Sequence, residues 1–207
     1  QQWQSCASCH PDARADGLNW DLVNDGLGTP KNTRSMLWSD RTPPAMSLGV
    51  RETTQSAVRA GIRHIQFAVR PEADALAIDA YLRSLQPLPS PYGRGLSPTE
   101  AGEESDAKVQ RGKHVYEKAG CQECHAAPLY TSLKAYDVGT GTGREAGAAF
   151  DTPTLVELWR TAPYLHDGRA ATLEEVFTRF NPDDRHGRTS HLSSAELEEL
   201  AEFLLSL

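Results

Sequence analysis

Apolar residues recur near the end of the chain at Leu197, Leu200, Phe203 and Leu204, between acidic and polar positions. That is the period of a helix with one buried stripe. Ser193 or Ser194 caps it, and the acidic residues of its first turns suit the helix dipole. A second pattern, Leu173, Val176, Phe177 and Phe180, predicts a helix over 172–180. Thr172 opens it, with Glu175 three residues on, as a capping box. Thr53 to Gly61 is its upstream counterpart. Ala107 to Ala119 has few breakers and predicts a helix leading into Cys121. Tyr136 to Ala149 holds four glycines and reads as a loop. The expected fold class is all-α.

The two halves overlay on each other. His64 to Leu85 aligns without a gap on His186 to Leu207, so that Tyr81 meets Phe203 and Ser84-Leu85 meets Ser206-Leu207. Upstream, Arg41-Thr42-Pro43-Pro44 meets Arg160-Thr161-Ala162-Pro163, and Gly49 falls on Gly168. Such self-similarity predicts two copies of one fold by internal duplication. The expected organisation is a first domain over 1–86, a linker over 87–106 and a second domain over 107–207. Pro87, Pro89 and Pro91 favour an extended spacer. Five residues precede Cys6, with no counterpart of the helix expected before Cys121. The chain therefore reads as a fragment of a longer polypeptide whose first domain lacks its N-terminal helix.

Composition narrows the class. The chain has 207 residues, 39% of them apolar, and a negative mean hydropathy. This suits two small domains that each pack around a cofactor. No apolar run approaches the roughly 20 residues of a spanning helix. The opening Gln1-Gln2-Trp3-Gln4 is polar and does not resemble a signal peptide. The net charge of −7 disfavours a nucleic-acid partner.

All four cysteines fall in Cys6-Ala7-Ser8-Cys9-His10 and Cys121-Gln122-Glu123-Cys124-His125. C-x-x-C-H is the pattern of covalent haem c attachment: the thiols form thioethers and the histidine ligates the iron. Zinc and disulfide are the competing uses of such cysteines, but two copies consuming every cysteine favour two haems c. Haem c is attached outside the cytoplasm, so the expected location is periplasmic or otherwise extracytoplasmic, with a leader removed or left out.

His10 and His125 are then the proximal ligands. On the opposite side of each iron, His64 and His186 occupy equivalent positions and are the candidate distal ligands. Met46 competes for the first haem, and His166 and His191 for the second. Each of these histidines is also explicable as a surface or hydrogen-bonding residue. His166 is equally suited to bonding a haem propionate, and His114 reads as a solvated helix residue. Trp20, Trp38 and Trp159 suit core packing as well as haem contact. Arg41, Arg160 and Arg169 suit propionates or open surface.

The segments Thr152-Pro153-Thr154-Leu155, Arg160 to Gly168 (RTAPYLHDG) and Thr172-Leu173-Glu174-Glu175 resemble the C-terminal domain of bacterial di-haem cytochrome c peroxidases and MauG-type proteins. Cys6 to Pro11, Ala15-Asp16-Gly17 and Pro30-Lys31-Asn32-Thr33 are similar to the N-terminal domain of that family. More narrowly, the chain resembles the cytochrome region of bacterial proteins that also carry a β-propeller. The resemblance implies two cytochrome-c-like helical domains in contact. It also implies a calcium ion between them, held by Asn32 and by the carbonyls of Thr161 and Pro163.

The departures from the family are informative. Phe180 stands where the resemblance puts an axial Met, and Ser47 where it puts an inter-haem Trp. His64-Ile65-Gln66-Phe67 occupies the region of the peroxidatic glutamate. The expected function is single-electron transfer, with both haems six-coordinate and a redox partner protein or fused domain as donor or acceptor. The rival is a MauG-like or peroxidase-like enzyme reducing peroxide at one haem, with Tyr164, His166 or Glu174 acting near the second iron. A third reading is a haem-bearing module serving assembly or signalling.

Overall fold

The computed structural model describes residues 4–23, 27–92 and 100–207. The polar opening at 1–3 and the 93–99 part of the expected linker lie outside them. Among the described residues five α-helices carry the fold: α1 (Thr54–Ala60), α2 (Glu72–Ser84), α3 (Glu100–Lys118), α4 (Leu173–Phe177) and α5 (Ser194–Leu205). Among the described residues there are also four two-residue strands, small additions to the helix-rich frame that was expected. β1 (Asn19–Trp20) pairs with β2 (Lys31–Asn32), and β3 (Ala135–Tyr136) with β4 (Phe150–Asp151), both antiparallel. The glycine-rich stretch expected as a loop thus ends one strand and also holds a 3₁₀ turn at Gly143–Glu145. Pairings this short carry no alternation for sequence periodicity to detect.

The apolar core centres on the second half. Val109, Val115 and Tyr116 of α3 meet Leu173, Val176 and Phe177 of α4 and Leu200, Phe203 and Leu204 of α5. The predicted α5 stripe is therefore the buried one, with Leu197 packed at its edge. Ser193, not Ser194, is the cap. Its hydroxyl accepts from Glu196 N–H, while the Glu196 carboxylate accepts from Ser193 N–H at 2.9 Å. α4 ends at Phe177 rather than at the expected Phe180. Thr172 caps it as expected, but Glu175 reaches back to Ala171 N–H (2.7 Å). α3 begins at Glu100, upstream of the expected Ala107.

Helices α3 and α5 cross at Gly112. A Cβ there would lie 1.8 Å from Glu199 O and 2.8 Å from Phe203 Cβ. Only hydrogen fits at that crossing, and this sets how closely the two helices approach. The Arg111–Glu199 and Lys118–Glu196 ion pairs flank the contact. In the first half, α2 buries Ala75, Asp79 and Leu82. Asp79 is neutralised there by Arg59 of α1 at 2.9 Å.

The halves meet through polar groups. Glu157 is 0% exposed. It accepts from Arg14 Nε (2.5 Å), from a terminal guanidinium nitrogen of Arg14 (2.9 Å) and from Leu88 N–H (2.6 Å). Arg14 also donates to Gln86 O at 3.1 Å. Ser90 Oγ donates to Leu205 O at 2.5 Å, so the described part of the connecting segment is pinned to the second half. Asn32 N–H donates to His166 O (2.8 Å), Asp151 N–H to Ser47 O (2.9 Å), and Arg34 to Asp151 (2.8 Å).

Candidate haem sites

Both cysteine motifs fold alike. Cys6–Ser8 and Cys121–Glu123 are 3₁₀ turns, and the histidine N–H that follows each closes onto the first cysteine, His10 to Cys6 O and His125 to Cys121 O, both at 2.9 Å. No disulfide joins any of the four thiols. Each turn therefore presents two thiols and an imidazole together.

The second site is the more completely built. The ring centroids of His125 and His186 lie 6.5 Å apart, with planes 37° from parallel. Two metal–nitrogen bonds of about 2.0–2.1 Å, plus the distance from each ring nitrogen to its centroid, need a separation of roughly this size. Tyr130 O lies 3.1 Å from His125 Nδ1, leaving the other ring nitrogen for a metal. The Tyr116 hydroxyl donates to His125 O and fixes the motif to α3. Burial pushes the pKa of His125 down, opposed by the backbones of Tyr130 and Pro153. Burial, and secondarily His125, push His186 down to about 4. Both rings are thus neutral at pH 7, the state that ligates iron.

Asn181 holds the His186 loop. It is buried, its Oδ1 accepts from His186 N–H (2.8 Å), and its Nδ2 donates to Gly187 O and Thr189 Oγ1 (both 2.8 Å). Sequence reasoning did not find this residue; Asn181-Pro182 is an ordinary turn signal.

The first site differs. Burial lowers the pKa of His10, opposed by the backbones of Arg14 and Arg34. His10 Nδ1 is buried and has no hydrogen-bond partner. His64 lies in the π-helical turn Gly61–Ile65, and its ring is exposed. That turn nevertheless runs beside the motif, since Gln66 Nε2 lies 3.7 Å from Cys6 Sγ. In the second half a Cβ on Gly187 would lie 3.7 Å from Cys121 Sγ, so the segment after His186 passes its own motif in the same way. Met46 is half-buried with φ +74°, and its carbonyl accepts from Arg34 at 2.9 Å.

Of the other candidates, His191 is exposed. His166 is enclosed, stacked on Phe150 at 3.9 Å and 3.5 Å from Glu145, whose other oxygen meets Lys31 at 2.5 Å. Exposed His114 places Nδ1 2.8 Å from Gln110 O on its own helix. Arg41 and Arg160 lie over the rings of Trp38 and Trp159, and Arg169 pairs with Asp167. Asn32 and Pro163 are brought together, Asn32 Nδ2 donating to Pro163 O at 2.5 Å, while Asn32 Oδ1 is buried without a partner. Thr161 lies two residues upstream of Pro163, its hydroxyl spent on Leu158 O. A hard cation takes amide and backbone carbonyl oxygens, and the Asn32 amide would offer Oδ1 beside Pro163 O once turned over.

These paired motifs and the helical frame around them have counterparts of known identity. No family model matches the chain. Hydrazine synthase subunit gamma of Kuenenia stuttgartiensis is 31% identical, covering 98% of this chain and 72% of that protein. Methylamine utilization protein MauG of Methylorubrum extorquens is 30% identical across 50% of this chain and 33% of its own length. The chain belongs to the di-haem cytochrome c peroxidase/MauG superfamily. Among solved structures, Kuenenia stuttgartiensis hydrazine synthase pressurised with xenon superposes with a TM-score of 0.85 at 28% identity, covering 100% of this chain and 82% of that one. Membership implies haem c as the cofactor, and the thiols and imidazoles above fit it. Among the described residues no helix is long and apolar enough to cross a membrane.

Proposed function

We propose that the chain is a two-haem, extracytoplasmic electron-transfer protein in which both irons are six-coordinate. The facing rings of His125 and His186 carry this reading. A haem held by these residues would supply one-electron ferric/ferrous chemistry, and the two histidines would leave its iron no open position. Cys121 and Cys124 would tether it and His125 and His186 would ligate it, with Tyr130 O orienting the His125 ring and Asn181 fixing the loop that carries His186. In the first half Cys6, Cys9 and His10 take the same parts, with His64 the distal ligand. Its turn passes Cys6 as the His186 segment passes Cys121.

The likeness of the halves supports an internal duplication into domains 1–86 and 107–207. Besides the motifs, isolated bridges recur at Ala45–Arg51 and Tyr164–Ala170, and Thr53 and Thr172 each cap the helix that follows. Asn32 and the carbonyls of Thr161 and Pro163 form a calcium site between the halves. A relative that is a subunit of hydrazine synthase supports a redox partner polypeptide.

A MauG-like, peroxide-reducing enzyme is the second reading, favoured by the exposed ring of His64. Steady-state peroxide consumption with an artificial donor separates the two. The electron-transfer reading expects rapid reduction and reoxidation of both haems with negligible peroxide turnover. Sustained turnover would overturn it.

A further inference from the structure

Helix α2 leaves one face uncovered. Ala75, Asp79 and Leu82 are buried against the first half. The opposite face carries Ala73, Leu76, Ala77, Ala80 and Tyr81, all exposed, Leu76 by 54% and Tyr81 by 51%. A lone exposed apolar residue is ordinary. Five on one face over about two turns form a continuous strip of the kind that marks an interface. Helix α5 gives the comparison. In the gap-free alignment of the halves, Leu76, Ala77 and Ala80 fall on Glu198, Glu199 and Glu202. Where α5 presents three carboxylates, α2 presents apolar side chains. A groove of about 690 Å³ adjoins the strip and reaches from Ala77 and Ile78 to Cys6 and Ser8 of the first haem motif.

The charges beside the strip select the occupant. Glu72 and Arg83 are equidistant from the midpoint between Ala77 and Ile78. About three turns separate them, so they share a flank of the helix. Arg83 is exposed, and no carboxylate among the described residues pairs with it. Both bonds from Arg59 to Glu72 end on the same carboxylate oxygen, which leaves the other for a second cation. In an antiparallel two-fold pair of helices, each flank meets the same flank of the other copy with its direction reversed. Glu72 of each copy then meets Arg83 of the other. A helix seated as α3 sits on α5 would meet Ala77 and Tyr81, the counterparts of Glu199 and Phe203. It would leave Leu76 open, as Glu198 is open on α5.

We propose that this face of α2 binds the same face of a second copy of the chain, the two helices running antiparallel about a two-fold axis. The alanines let the helices approach closely, since interaxial distance follows side-chain size. Leu76 and Tyr81 fill the sides of the contact, and two Glu72–Arg83 pairs set its direction. The pairing lies beside the groove that reaches Cys6, so it brings the first haem motifs of two copies to one interface.

The test is sedimentation of the full haem-loaded chain over a range of concentrations, and a dimer is expected. L76E/A77E puts the residues of α5 at the same positions of α2, on a face the fold leaves in water. It should raise the dissociation constant of the dimer by about tenfold or more, because carboxylates would be buried in the contact. E72R and R83E should each weaken the dimer. E72R/R83E should restore it, because the exchanged charges still meet. Haem absorption matching that of the unmodified chain checks that each variant folds. A monomer at every concentration would overturn the proposal and leave the strip to a helix of another polypeptide. A dimer indifferent to L76E/A77E would place the interface elsewhere and overturn it as well. Weakening by both single charge changes without recovery in the double change would overturn the antiparallel pairing.

Discussion

The imidazole rings of His125 and His186 lie with centroids 6.5 Å apart, although they stand 61 positions apart in the chain. H186A should convert the second haem from low spin to high spin while leaving it covalently attached, since Cys121 and Cys124 are untouched. Visible absorption reads the spin state, and denaturing haem analysis reads attachment. An unchanged low-spin spectrum would remove His186 as a ligand.

The acid behaviour of that site follows from the same burial. Protonated imidazole cannot ligate, and an unperturbed histidine takes up its proton near pH 6.5. Without a metal His186 is pushed down to about 4, and a bound iron competes with the proton further, so the low-spin ligation should persist well below about pH 6.5. For a histidine whose folded pKa is lowered, the unfolded chain binds the extra proton first. Its contribution to stability is complete above about 6.5 and is lost as pH falls towards 4. A pH titration of the low-spin band checks this. A midpoint near 6.5 would contradict it.

Glu157 and Arg14 make a prediction of the same sign in a more acid range. Burial alone would raise the Glu157 pKa, but Arg14 and the Leu88 N–H outweigh it and hold it below the usual carboxylate range. The stabilisation is present above the unfolded value, about 4.3, and is lost as pH falls through the depressed folded value. E157A leaves Arg14 buried and unpaired, which should cost about 3–5 kcal/mol in denaturant unfolding at pH 7. Repeating the comparison at acid pH should shrink the difference.

Gly112 separates packing from propensity. Alanine is favoured over glycine in a helix by roughly 1 kcal/mol, yet a Cβ at 112 would sit 1.8 Å from Glu199 O. Overpacking costs typically 1–3 kcal/mol, and backbone cannot swing aside as a flexible side-chain tip does. G112A should therefore lower the thermal midpoint. A rise would mean that α3 and α5 do not cross there.

Much of this frame is legible in residue pattern, and the reasons are local. The α5 stripe of Leu200, Phe203 and Leu204 and the caps Thr53, Thr172 and Ser193 depend on neighbours a turn away. So does each C-x-x-C-H turn. The groups that join the halves depend on distant partners. Glu157, in Leu155-Val156-Glu157-Leu158, reads as an ordinary surface acid until Arg14, 143 positions away, is placed against it. Asn181 looks like a turn former, and its hold on the His186 loop appears only in three dimensions. His166 carried several readings in sequence. Its stacking on Phe150 depends on the β3–β4 pairing, which is too short to leave a pattern.

Calcium is testable through Asn32, whose Oδ1 is buried without a partner while its Nδ2 donates to Pro163 O. Added calcium should raise the thermal midpoint of chelator-treated protein, and N32A should abolish that rise. Equal responses in the two proteins would place any calcium elsewhere.

The central claim is that both irons are closed by histidines from this chain. Low-temperature EPR of the oxidised, haem-loaded protein tests it most directly. The account predicts two low-spin ferric signals, one removed by H64A and the other by H186A. A high-spin signal from either haem of the unmodified protein would contradict it.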